Sequence, residues 1–233
     1  KFNGSLFTFD PCYVKGNKHL TPDFRQWGGA SMTAQNQRLV YWPMLKTGDW
    51  DMMDSQFNYY LRMLRNAELM TESYWGHKGA CFTEQIENFG LPVAYSYGIE
   101  PRTGMRPRGK QANAYCEYLW DTVMDFCLMM IQTNTYEGRD ITPYISFIES
   151  CLTFFDEHYR MLALQRTVQP FDRQKHYIFY PGTAGETYKM ATNSSQTIAA
   201  LTAVLKELIS LPDQYISKEK KAHWQEMLSH MPP

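Results

Sequence analysis

The sequence predicts an all-α chain, a single helical domain over 1–233 that forms part of an (α/α)6 toroid-like helical barrel. Three observations lead there. Apolar residues recur at three- and four-residue steps over several long segments, the period of a helix with one buried face. Strand signals are thin. Long polar loops rich in proline and glycine, at 10–30, 70–112 and 165–192, separate the helical stretches, and loops of that size in a compact helical domain carry or cover a site.

The helices follow in chain order. Two are expected over 31–46 and 50–67. Over 113–134, Tyr115, Leu119, Val123, Phe126, Cys127 and Met130 fall on one face. Over 141–163, Thr142 and Pro143 read as a cap followed by a first-turn proline, and Ile145, Ile148, Leu152, Phe155 and Tyr159 form the buried stripe. Over 194–210, Ser194 or Ser195 can cap, Ile198, Leu201, Leu205, Leu208 and Ile209 line one side, and Pro212 lies beyond the end. A last helix runs from Ser217 to 230. The stretches Phe2–Phe9 and His176–Tyr180 read as brief strands or extended loops. No 20–50-residue repeat emerges, which disfavours a simple solenoid. Six helices in antiparallel pairs make about half of a double ring, whose edge must be covered by further chain, a partner or a rearranged packing.

Composition narrows the function classes. With 44% hydrophobic and 20% charged residues the chain is globular, and a net charge of −1 without a basic stripe removes the case for nucleic acid. The cluster RTGMRPRGK at 102–110 reads as a solvated loop. Aromatic content of 15% is high, and aromatic faces fill cores or stack on sugar rings. Five cysteines, Cys12, Cys81, Cys116, Cys127 and Cys151, show neither CxxC nor paired Cys/His spacing, so no disulfide framework, structural zinc or other metal and no cofactor is expected. The cysteines within helical patterns read as buried, inert thiols. No run is apolar enough for a transmembrane segment. There is no signal peptide, and the chain starts at Lys1 without Met, so the expectation is a piece of a longer polypeptide.

Three segments carry candidate chemistry, each with a plain structural alternative. In WGGASMTAQNQRLVYWPML (27–45), Asn36, Gln37 and Arg38 precede a Tyr41-Trp42-Pro43 corner; the amides can position water or sugar hydroxyls, or the rings are core and the polar groups solvated. In YWGHKGACFTEQIENFGLP (74–92), Trp75, His77, Glu84, Gln85, Glu87, Asn88 and Phe89 crowd a glycine-punctuated span. Glu84 and Glu87 would share a face if it coiled, either dividing acid and base roles or standing exposed. In YIFYPGTAGETYKMATNSSQ (177–196), glycines let backbone crowd a ligand, and Tyr180, Pro181 and Tyr188 would shelter Glu186, raising its proton affinity as a general acid requires; a helix-terminal glutamate is the alternative. Asp49, Asp51 and Asp54 after Gly48 read as helix-start residues favoured by the dipole, not as a metal cluster. There is no GxSxG, P-loop or dinucleotide fingerprint.

The order of these motifs resembles the catalytic helical-barrel domain of glycoside hydrolase family 95, the α-L-fucosidases and α-L-galactosidases, distantly but over most of the chain. AQNQRLVYWP (34–43) is similar to that family's motif of two asparagines before an Asn-Tyr-Trp-Pro corner, with Asn36 at the second asparagine and Ala34 where the first should stand. GACFTEQIENFG (79–90) resembles its His/Asn/Asp-rich segment, with Thr83 and Glu84 in place of histidines and Glu87 keeping the acidic position. PGTAGE (181–186) looks like its general-acid motif, with Gly185 in place of proline.

The resemblance implies a glycosidase that breaks a glycosidic bond in a plant- or host-derived glycan with inversion. Glu186 is the catalytic acid and Asn36 the catalytic holder of the attacking water. Trp42, Glu84, Glu87, Tyr180, Gln37 and Trp75 are the substrate-binding residues. The family's base, an aspartate further toward the C-terminus, has no match here, so the chain looks like the N-terminal part of the barrel and is expected to be inactive alone. The expected partners are an oligosaccharide or polysaccharide and the remainder of the same polypeptide. The expected location is periplasmic or extracellular. The alternatives are a non-catalytic carbohydrate-binding or scaffold protein derived from such an enzyme and, more distantly, a helical-barrel isomerase or lyase.

Overall fold

The computed structural model describes residues 31–93 and 113–233. The expected extended stretch 2–9, the loop 10–30, Cys12 and the basic cluster 102–110 lie outside the described residues. Among the described residues six helices dominate: α1 (Ala34–Thr47), α2 (Trp50–Trp75), α3 (Val123–Glu137), α4 (Thr142–Arg166), α5 (Ser195–Ser210) and α6 (Lys218–Ser229). Four short strands form two antiparallel pairs: β1 (Met32–Thr33) with β2 (Gln85–Ile86), and β3 (Gly182–Ala184) with β4 (Tyr188–Ala191). The protein is all-α in class, with two small ribbons beside the helices.

The helices pack as three hairpins in two rows. α1 packs on α2, α3 on α4 and α5 on α6, while α3 lies between α1 and α5 in one row and α4 contacts α2 in the other. α6 joins the second row through Lys220 and Trp224, which both donate to Glu149 of α4. Within hairpins the links are short, and Gly48 and Gly138 end α1 and α3 in the left-handed conformation that glycine adopts without steric cost. Between hairpins the links are long. Alternation therefore gathers 31–33, 76–93, 113–122 and 167–194 at one end of the rows, beside the starts of α1, α3 and α5.

The core lies between the rows and is strongly aromatic. Tyr60 of α2 is enclosed by Phe82, Phe126 and Phe147, with ring centroids 4.9–6.2 Å away. A second aromatic group joins Trp75, Trp120, Phe154 and His158 where α2 and α4 reach the long loops. Cys81, Cys127 and Cys151 are buried free thiols.

Several boundaries differ from expectation. α2 runs on to Trp75, because its buried face continues through Ala67, Met70 and Thr71. α3 starts at Val123, not near 113: the Asn113 side chain accepts from the Tyr115 N–H at 3.0 Å and its carbonyl from the Cys116 N–H at 2.9 Å, closing turns there instead. The segment around Glu84 and Glu87 does not coil, since Gln85–Ile86 pairs with Met32–Thr33; the two carboxylates share no helical face. Residues 176–180 take the second of their two expected forms, an extended loop without strand pairing. α1 passes through Pro43 without a corner. Asp54 forms an ion pair with Arg139 and caps nothing. Ser217 does cap α6, accepting from the Lys220 N–H at 3.3 Å.

Candidate functional site

The long loops converge on the starts of α1, α3 and α5 and place carboxyl groups there from separate parts of the sequence. The segment after α2 is anchored first. The Ala80 N–H donates to the Ser150 carbonyl at 2.9 Å, and Gly79 lies so close to α4 that a Cβ would sit 2.2 Å from the Phe154 nitrogen. Only glycine, with its φ of +98°, fits there. From this anchor the chain runs to Glu84, whose carbonyl accepts from the Ala34 N–H at 2.9 Å and whose Oε1 accepts from the Gln35 N–H at 3.3 Å. Glu84 thus sits on the N-terminus of α1, where backbone donors and the helix dipole favour negative charge. Its carboxyl is only 1% exposed, however, and burial pushes its pKa up to about 8; Glu186 nearby adds to the rise, while Gln35 and the Arg38 guanidinium oppose it.

Asp121, just before α3, is the second buried carboxyl. It accepts from Thr197 Oγ1 at 2.5 Å and Gln196 Nε2 at 2.9 Å, both in the first turn of α5, and so ties two adjacent helix starts together. Burial raises its pKa to about 6 against the opposing pull of those two hydrogen bonds. One turn on, Asp125 accepts from Arg38 at 2.9 Å and from Trp42 Nε1 at 3.0 Å, joining α1 to α3. Thr33, Thr122 and Ser194, which immediately precede α1, α3 and α5, bury hydroxyls that make no hydrogen bond among the described residues.

Glu186 approaches from the β3–β4 turn. Gly185 and Glu186 both have positive φ, +52° and +61°, a conformation glycine tolerates and glutamate rarely adopts; such strain persists where surrounding structure enforces it. Glu186 is exposed, not sheltered by Tyr180 or Tyr188, and Tyr188 is itself 69% exposed. The Glu186 Oε1 accepts from the Cys116 thiol at 2.7 Å, and burial followed by the Glu186 carboxylate pushes that thiol's pKa up, keeping it protonated as a donor. The exposed ring of Tyr115 lies alongside, with the Lys189 ammonium 4.6 Å from its centroid.

The other expected site residues divide between this end and the core. Asn36 is half-buried in the first turn of α1, beside the Glu84 anchor. Trp42 is half-buried and bound to Asp125. Glu87 is half-buried and lies near the Tyr59 phenol, which donates to the Glu87 carbonyl. Gln37 is committed to the core: it is fully buried and exchanges hydrogen bonds with Gln56 at 3.0 and 3.3 Å. Trp75 packs among Trp120, Phe154 and His158 at the end of α2. Tyr180 lies under the Arg166 guanidinium, 5.2 Å from its ring centroid, in the loop before β3. His77 Nδ1 lies 2.8 Å from the Lys78 carbonyl, and its Nε2 lies 2.9 Å from His158 Nδ1. The first contact requires a proton on His77 Nδ1, so in the neutral pair His158 donates to His77. No group of three or more His, Cys, Asp or Glu among the described residues is placed to hold a metal ion, and no helix there is long and apolar enough to cross a membrane.

Sequence reasoning missed Asp121 and the bond from Cys116 to Glu186. The partners are 76 residues apart for Asp121 with Thr197 and 70 apart for Cys116 with Glu186, and no local pattern reports such pairing. Chemically, the loop end offers a buried carboxyl that holds a proton at neutral pH, an exposed carboxylate steered by a thiol and a tight turn, and aromatic rings at its rim. Compared with protein-family models, curated proteins and solved structures, the chain matches none.

Proposed function

We propose that this chain is the N-terminal half of an (α/α)6 helical barrel belonging to a glycoside hydrolase, with the loop end of its three hairpins as the catalytic face. The observation that carries the reading is the gathering of Glu84, Glu186 and Asp121 at the starts of α1, α3 and α5. Alternating short and long links, and rows in which every second helix is a neighbour, support this reading. Exported enzymes that meet polymeric glycans are the class proposed, periplasmic or extracellular in location.

In this reading Glu186 gives its proton to the glycosidic oxygen as the bond from that oxygen to the anomeric carbon breaks. A water held by Asn36 adds to the opposite face of that carbon and passes its own proton to a base outside this chain. One water is consumed and the configuration inverts, a geometry that sets acid and base about 6.5–9.5 Å apart. Burial of Glu186 from water, which its role as an acid requires, would come from the sugar and from the rest of the barrel. Trp42, Glu87 and Tyr115 are the proposed sugar contacts nearest this face.

The test uses the complete polypeptide with a mixture of oligosaccharides cut from plant cell-wall polysaccharides. Proton NMR of the first product formed reads the anomeric configuration. Release of sugar with inversion supports the reading. Saturable sugar binding without release favours the alternative, a carbohydrate-binding protein derived from such an enzyme.

A further inference from the structure

A cavity of about 220 Å³ lies between the second half of α4, one face of α6 and the loop that precedes β3. Neither Glu84, Asp121 nor Glu186 lines it. Asp156 and Arg160 reach it from α4, four residues apart and so on one helical face. Glu226, Met227 and His230 reach it from α6 and its capping residue, at three- and four-residue steps, while Phe171 and Tyr177 close it from the loop. The Asp156 side chain is only 7% exposed, and its two oxygens are engaged unequally. Oδ1 accepts from the Tyr177 hydroxyl at 2.5 Å and from Arg160 at 3.3 Å. Oδ2 accepts no hydrogen bond among the described residues, and that oxygen is not sealed from the space the cavity encloses.

We propose that this cavity is a binding site for a small aliphatic ammonium ion, whose N–H groups bind Asp156 Oδ2 and His230 Nε2 while its carbon skeleton lies against Tyr177 and Met227.

The donors and acceptors around the space select that chemistry. A carboxylate so little exposed needs donors on both oxygens, and here two protein donors crowd one oxygen and leave the other. His230 Nδ1 is bound to the Lys175 carbonyl, which only accepts, so the ring proton sits there and the neutral ring offers Nε2 as an acceptor. Glu226, exposed at the rim beside His223, adds a second carboxylate. An anion would meet both carboxylates and one guanidinium already paired with Asp156. No three side chains among the described residues converge as metal ligands. A flat ring finds no stacking surface, since the His230 ring covers Phe171 at 4.1 Å and Arg160 lies over the same ring, 5.8 Å from its centroid. The volume matches on the order of seven liquid waters, which bounds the ligand to a short amine. An ammonium supplies both the missing donors and the compensating charge.

The experiment is a titration of the complete polypeptide with n-butylammonium chloride, followed by saturation-transfer NMR in about 0.15 M salt, which screens exposed surface carboxylates. Saturable binding is expected with a Kd on the order of 1–10 mM. The neutral analogue n-butanol is expected to bind about tenfold more weakly or worse, because it brings no charge to the carboxylate. Asp156→Asn is expected to weaken n-butylammonium by about tenfold or more.

Asp156 also holds Tyr177, so a second variant acts in the opposite direction. Arg160→Met removes a neighbouring cation that is 47% exposed and should tighten n-butylammonium by about threefold or more, a gain that unfolding cannot produce. Equal affinity for n-butanol, no saturation below about 100 mM, or an affinity that Arg160→Met leaves unchanged or lowers would overturn the proposal. None of these readouts needs turnover, so they stand apart from the fate of the hydrolase reading.

Discussion

The two ends of the helical hairpins are built from the same helices and treat polar groups in opposite ways. At the end with short links, charges sit in solvent-accessible pairs: Arg139 with Asp54 and Glu137, Lys221 with Asp213, and Lys220 with Glu149. At the end with long links, Glu84, Asp121 and His158 are buried, and three hydroxyls that precede α1, α3 and α5 lack partners among the described residues. Exposed pairs contribute little and cost little, whereas a buried carboxyl or imidazole must give up its charge or have that charge compensated. At the loop end two of these groups also tie helix starts, Glu84 to α1 and Asp121 to α5, and buried groups with shifted proton affinity are what the proposed site would use.

The sharpest way to break the contrast is to disturb the anchor of the loop that carries Glu84. Gly79→Ala places a Cβ 2.2 Å from the backbone nitrogen of Phe154 in a conformation with φ of +98°. The expected loss is about 2–4 kcal/mol, read by urea denaturation, with disturbance of the Glu84 environment. A loss below about 0.5 kcal/mol would show that the loop is not held against α4.

The pH dependence of stability sharpens the contrast next. Glu84 and Asp121 have folded pKa values of about 8 and about 6, raised by burial, so their contributions are complete below the ordinary carboxyl range and fade as pH rises toward those values. His158 has the reverse sign: burial, then His77, lower its pKa to about 3, so its contribution is complete above about 6.5 and fades as pH falls. His77, lowered chiefly by burial, acts in the same direction as His158. Between about pH 6.5 and 8, Glu84 is the one of these groups that still binds protons differently in the two states. Native protein is therefore expected to lose up to about 1.4 kcal/mol per pH unit there, and Glu84→Gln to show a flatter profile. Parallel profiles would place Glu84 in contact with solvent.

The smallest effect belongs to the other end. Lys220→Ala removes the pair with Glu149 in which the lysine side chain is 56% exposed, and should cost less than about 1 kcal/mol, with the residual effect shrinking in high salt. A loss comparable to that of Gly79→Ala would erase the distinction between the ends.

Much of the fold was legible because helical periodicity is a local property. The stripes of α4 and α5 lie where Ile145, Ile148, Leu152, Leu201, Leu205 and Leu208 indicated, all of them buried. The start of α3 was not legible, since Tyr115 and Leu119 continue its spacing and only the Asn113 turns break the helix. The site was legible in part. Glu84 and Glu186 stood out because glycines and aromatic residues surround them in sequence. Gln37 reads like a surface amide, yet its partner is Gln56 on the next helix, and hydrogen bonding across the core leaves no mark on hydropathy. Asp121 and Cys116 acquire meaning only when α5 and the β3–β4 turn fold against them.

The most direct test of the central claim is the rate at which the complete polypeptide, native and Glu186→Gln, hydrolyses a sugar with a poor leaving group. Removing the proposed proton donor is expected to lower kcat by about 10²–10⁴-fold, with far less effect on an activated aryl glycoside whose leaving group needs no proton. Full activity of Glu186→Gln on the poor leaving group would contradict the account.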